Sequence, residues 1–245
     1  MNPLIEHIYK TRCVEDSEGN LINPFPTSIS YDEGLALYNF IRSTKAENTL
    51  ELGLAHGLST LFLCQAHHDN GVGHHTAVDP FECTRWKSIG LLNIRKAGLD
   101  NLLRFCAASS DEILPQFLLN GERFDFIFID GNHHFDYALV DFFYADKLLN
   151  SGGYIMFDDV WMPAIRKVCG FILRNRNYRL ATEVFGNPVL LWKRCLRFAR
   201  SVVQNPLDIQ SISFSGYVLA KGVFQYCLMQ KVAGDKRKWD HYKSF

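Results

Sequence analysis

Apolar positions along the chain fall into short, mostly apolar runs, at residues 49–52, 76–78, 102–106, 124–129 and 154–157, separated by stretches of helical periodicity. Runs of this kind suit strands covered on both faces, as in a mostly parallel sheet, rather than strands with one wet face. Helical patterns fill residues 59–66, 85–97, 111–119 and 137–149, with Ser151-Gly152-Gly153 breaking the last. Strand and helix in alternation predict a doubly wound α/β fold. Upstream, residues 32–41 carry an apolar face suited to pack on that sheet, so 1–45 is expected to be a helical cap, serving as a lid or simply as core. Residues 46–193 then form the main body and 194–245 a C-terminal extension that can supply the last strand. Runs at 178–185 and 188–192 flank Gly186-Asn187 like an antiparallel hairpin, and 224–231 competes with the second of them for the final place.

Ligands of such sheets bind beyond the carboxyl ends of the strands, and Glu51, Asp79, Asp130 and Asp158 each end an apolar run. After Glu51 the chain turns through Gly53-Leu54-Ala55-His56-Gly57 into a helix that opens with Ser59 and Thr60. Gly53 and Gly57, with the small Ala55 between them, let backbone approach a ligand, and Ser59 suits a first helical turn. The spacing is not the Gly-x-Gly-x-x-Gly of dinucleotide binding. A tight strand-to-helix turn without a ligand is the alternative. Asp79 follows the second run, where a carboxylate can accept both hydroxyls of a ribose or cap the next turn. Ser109 and Ser110, after the third run, can bond a base edge or cap a helix.

A second constellation combines Asp130-Gly131-Asn132-His133-His134 with Asp158-Asp159. Neighbouring strands would bring three carboxylates to one rim, where they repel unless a cation joins them; hard oxygen donors suit magnesium rather than zinc. Asp130, Asp158 and Asp159 are therefore candidate metal ligands, with loop caps or surface charges as the plainer alternative. An imidazole near neutral pKa could take the proton of a cation-acidified hydroxyl, and His133 and His134 compete for that role. The pairs His67-His68 and His74-His75, around Asp69-Asn70-Gly71-Val72-Gly73, read as solvated loop residues, a transition-metal site being the alternative.

These segments resemble a known family. The Glu51 to Thr60 turn is similar to the first motif of class I methyltransferases that use S-adenosyl-L-methionine (SAM), especially the catechol O-methyltransferase-like branch. Asp130-Gly131-x-His133 followed by Asp158-Asp159 resembles the metal-dependent O-methyltransferases that modify macrolide sugars. The resemblance spans about residues 30–160. It implies a seven-stranded Rossmann-like sheet and magnesium-dependent O-methylation of a small hydroxyl-bearing acceptor. By it, Glu51, Gly53, Ala55, Gly57 and Ser59 hold the amino-acid end of SAM, Asp79 the ribose and Ser109 or Ser110 the adenine. Asp130, counted with both the cofactor and the metal, joins Asp158 and Asp159 as ligands, and His133 is the catalytic base. The position of Asp158 is often glutamate in that group. The closing run 236–245 also looks like a tail seen there.

Composition narrows the alternatives. Lys plus Arg and Asp plus Glu both total 26, so no global charge favours a nucleic-acid partner, and none is expected. No apolar stretch is long enough to span a membrane and no secretion signal is visible, so a cytoplasmic protein is expected. Seven scattered cysteines fit reduced thiols. The basic run 192–200 reads as a solvated helix face, with an anionic membrane or lipid-linked glycan as the alternative. Phe25, Phe135, Tyr137 and Trp161 can line an acceptor pocket or merely pack. A homodimer is plausible from paired lids. Two rival functions remain: a non-catalytic SAM-binding module, and a nucleotide-sugar or dinucleotide enzyme on the same fold.

Overall fold

The computed structural model describes residues 1–25, 27–181, 226–241 and 243. Its main sheet is built from β3 (Asn48–Leu52), β4 (His74–Val78), β5 (Leu103–Cys106), β6 (Phe124–Ile129), β7 (Leu149–Phe157), β8 (Tyr178–Leu180) and β9 (Cys227–Lys231). They hydrogen-bond in the order β5-β4-β3-β6-β7-β9-β8. β4 runs parallel to both β3 and β5, whereas β9 runs antiparallel to both β7 and β8. The seven-stranded, mostly parallel Rossmann-like sheet thus stands as expected. Cys227–Lys231, within the expected run 224–231, supplies the strand beside β7, and the rival run 188–192 lies outside the described residues, as does the basic run 192–200.

Two compact units divide the chain, Met1–Ile127 and Phe128–Phe245. In the first, α1 (Pro3–Thr11) starts on an Asn2 cap with proline at its first position, and α2 (Tyr31–Thr44) on a reciprocal Ser30–Glu33 capping box. Leu37, Phe40 and Ile41 form the buried face of α2, while Tyr9, Tyr31 and Phe62 meet edge to face. The N-terminal segment is therefore packed as core against α3 (Leu58–Asn70), whose residues from Leu58 to His67 are all buried. Phe25 lies against Tyr9 and beneath the Arg12 guanidinium. A small hairpin, β1 (Val14–Glu15) with β2 (Leu21–Ile22), pairs Lys96 with Glu15 and Lys87 with Asp16.

α4 (Ile89–Lys96) is shorter than the expected 85–97 because Lys87 and Ser88 both adopt left-handed backbone, at φ 53 and 58. Two such residues in succession cannot belong to a right-handed helix. α5 (Ser110–Leu119) completes this unit. In the second unit α6 (Phe135–Leu148) runs directly into β7, so Ser151-Gly152-Gly153 lies inside an extended strand instead of breaking before it; Gly152 there has φ 86 and its carbonyl accepts from Gln230. α7 (Pro163–Asn175) packs on α6. Among the described residues no helix is long and apolar enough to cross a membrane, and the cysteines are free thiols.

Candidate functional site

In the first unit, β3 delivers Glu51 and then enters a turn whose Gly53, Ala55 and Gly57 all have positive φ, 100, 47 and 73. Glycine adopts this backbone freely, and Ala55 does so at a cost of roughly 1–2 kcal/mol. Asp79 holds the turn in place. Its Oδ2 accepts the N–H groups of Leu54 and Ala55, each at 3.0 Å, and its Oδ1 accepts that of Phe81 at 2.7 Å. Asp79 is only 4% exposed, so its carboxylate serves the loop, and a ribose hydroxyl can use only the capacity left on Oδ1. Gly57 has a second reason to lack a side chain: a Cβ there would sit 2.8 Å from the Cα of Gly90 on α4. Its bare face meets a helix. Ser59 is 6% exposed in the first turn of α3, whose cap residue Gly57 brings no side-chain bond and so leaves the turn's N–H groups for a ligand. Ser109 is the N-cap of α5, yet its hydroxyl makes no cap bond; it and Ser110 are half-buried.

Glu51 is fully buried. Its Oε2 accepts from the Thr60 hydroxyl at 2.5 Å and lies 3.1 Å from His75 Nε2, while Oε1 has no hydrogen-bond partner. His75 and His67 are 0% exposed, contrary to the expectation of solvated loop histidines. The loop is confined to Gly71-Val72-Gly73, so α3 still contains His67 and β4 already contains His75, both turned into the core. His68 and His74 are the exposed members of each pair.

In the second unit, the Asp158 N–H donates to the Ile129 carbonyl at 3.1 Å, which sets the ends of β6 and β7 side by side. Asp130, His133 and Asp159 converge there: one ligand atom from each lies within 4.8 Å of the others. His133 Nε2 is 3.0 Å from Asp159 Oδ2 and 3.7 Å from Asp130 Oδ1. Asp159 reaches this position through left-handed backbone, φ 51, and its Oδ1 accepts the Trp161 indole N–H at 2.7 Å. Asp158 is 6% exposed and stands outside this group. His134 caps the start of α6, exposed and near the Tyr137 ring, so His133 is the imidazole that meets the acids.

Hydrogen bonding to Asp130 and then to Asp159 raises His133 to about 10, against the opposing effect of burial. At neutral pH the imidazole is thus a cation between two carboxylates. That negative field and its oxygen donors fit a divalent ion. The same field opposes His133 as a base until another counter-charge reaches the acids. The sequence pattern did not mark Thr49 beneath the turn, His75 as its core partner, or Trp161 as a clamp on Asp159. A cross-strand Thr–His pair and an aromatic two residues after an acidic pair were the available signals.

Comparisons with known proteins agree on one class. The family described as "Methyltransferase domain" matches residues 50–160, which contain the turn, Asp79 and both acidic segments. By this match the chain is similar to class I SAM-dependent methyltransferases. It is 29% identical to tapetum-specific methyltransferase 1 of Arabidopsis thaliana over 76% of this chain and 73% of that protein. It is 31% identical to caffeoyl-CoA O-methyltransferase of Populus kitakamiensis over 57% of this chain, spanning 58% of that enzyme's length. Among solved structures, the methyltransferase fold matches an O-methyltransferase from Bacillus cereus in complex with SAH at a TM-score of 0.60 and 22% identity, covering 74% of this chain and 83% of that one. An O-methyltransferase of tomaymycin synthesis from Streptomyces achromogenes, in complex with SAM, gives 0.58 and 17%, covering 95% and 91%.

Proposed function

We propose that this methyltransferase transfers the methyl group of SAM to an oxygen of a small hydroxyl-bearing acceptor, a sugar or natural-product hydroxyl or a phenol, with magnesium. The convergence of Asp130, His133 and Asp159 carries the reading, because a methyltransferase needs no such cluster merely to bind its cofactor. The positive-φ turn and the N–H groups opening α3 receive the amino-acid end of SAM, with Glu51 facing its ammonium. Asp79 fixes the turn and meets the ribose, and Ser109 or Ser110 the adenine. Asp130 and Asp159 hold the cation, with Asp158 behind them. When bound, magnesium supplies charge that acidifies and orients an acceptor hydroxyl. His133, relieved of its role as counter-ion, takes the hydroxyl proton at Nε2 as the oxygen attacks. Transfer from a sulfonium otherwise asks mainly for alignment and exclusion of water.

Calorimetric titration of SAM, with magnesium and then with a chelator, tests both halves, together with a screen of phenols and sugar hydroxyls for formation of S-adenosylhomocysteine. SAM binding is expected in both conditions, and turnover only with the metal. His133→Ala is expected to lower turnover by roughly 100-fold with SAM binding intact. Absence of SAM binding would overturn the reading, and turnover indifferent to chelator would remove the metal from it.

A further inference from the structure

Beneath the turn a hydrogen-bonded line of buried groups ends on Glu51, and its other members have no part in the proposed chemistry. His67 Nε2 is 2.8 Å from Thr49 Oγ1, which is 2.8 Å from His75 Nδ1, and His75 Nε2 is 3.1 Å from Glu51 Oε2. Thr49, Glu51, Thr60, His67 and His75 are each 0% exposed. Register explains the juxtaposition, since Thr49 of β3 and His75 of β4 are direct parallel-strand partners.

The Thr49 hydroxyl has both imidazole rings within hydrogen-bond reach and the His74 carbonyl at 3.4 Å. Burial, with His75 next, depresses His67 to about 4, so His67 takes its place as a neutral ring. The line ends on Glu51. Oε2 is served twice, by His75 and Thr60, whereas Oε1 receives no donor, and no lysine or arginine pairs with Glu51 among the described residues. A buried carboxylate served on one oxygen alone keeps most of its charge for a cation still to come.

We infer that His75, backed by Thr49 and His67, is a positioning residue that pins one oxygen of Glu51 and thereby presents the other to the ammonium group of SAM. The inference rests on the methyltransferase reading. It separates two kinds of ligand. SAM and S-adenosylhomocysteine carry the ammonium, whereas 5′-methylthioadenosine has the same nucleoside without the amino-acid end.

Calorimetric titration of all three into the full chain tests it. In His75→Leu, SAM and S-adenosylhomocysteine are expected to weaken about tenfold or more, as for a lost charge-assisted contact, while 5′-methylthioadenosine stays within about twofold of wild type. His75→Gln, whose amide can donate from near the Nε2 position, is expected to recover most of the loss. Thr49→Val, nearly isosteric, carries the test if His75→Leu fails to fold, with the same selective loss expected. Equal weakening of all three ligands would overturn the inference, since that is what a collapsed turn would do. So would unchanged SAM affinity in both His75→Leu and Thr49→Val. A wild-type chain that binds none of the three would instead refute the methyltransferase reading, and this inference with it.

Discussion

Asp159 combines three burdens in one residue: left-handed backbone, a bond from Trp161 and a shared position with Asp130 and His133. Backbone strain of this kind persists where the surroundings enforce it, and here the enforcing group is an indole that is 57% exposed. Partners of a ligand commonly tune metal affinity as much as the ligand itself. Trp161→Phe keeps the ring but loses the N–H. On the proposed magnesium role, it is expected to raise the magnesium concentration for half-maximal turnover by about tenfold while leaving SAM affinity unchanged. An unaltered magnesium requirement would show that Asp159 holds its orientation unaided. Asp130 was legible because it ends an apolar run, and Asp159 because it follows Asp158, which ends another. Trp161 was not, because an exposed aromatic beside a cleft residue looks the same whether it lines a pocket or clamps a carboxylate.

Among the elements, α4 departs most from its expected form, and its start is set from outside. Ser88 at its N-cap makes no side-chain bond; the Glu82 carboxylate, from before the left-handed pair, accepts the Leu91 N–H at 3.0 Å instead. Burial, with the Asp79 charge adding to it, raises Glu82 from 4.5 to about 7. Between those values the folded protein holds a proton that the unfolded chain has released. The associated stability is complete below 4.5 and is lost as pH rises through about 7. Glu82→Gln keeps an acceptor for Leu91 and cannot ionise. Its melting temperature is expected to match wild type near pH 4.5 and to exceed it by about 5 °C near pH 8. Equal melting at both values would refute this capping and burial argument. Periodicity could not reveal the late start of α4, since 85–97 keeps its helical spacing through two residues whose backbone is not helical. The antiparallel pair β8 and β9 was half legible for a related reason: apolar alternation marks strands but does not say which of two candidates pairs with β7.

At the scale of the whole molecule, the doubly wound fold was readable because strands buried on both faces leave short, mostly apolar runs between helical stretches. The histidine pairs were misread for the converse reason. Gly71-Val72-Gly73 looks like the centre of a long polar loop, and only the register of β3 with β4 shows that His75 is a core residue opposite Thr49. Asp79 accepting two backbone N–H groups of the turn has a consequence for time rather than for affinity. The turn has its final shape before any ligand arrives, so folding has already met the cost of ordering it. Cofactor encounter then resembles a rigid object entering a finished mould. Stopped-flow binding of SAM is expected to show one exponential phase whose rate rises linearly with concentration, without the plateau that a slow loop closure imposes. A plateau would mean that Asp79 lets go of the turn and takes it up again around each molecule of cofactor.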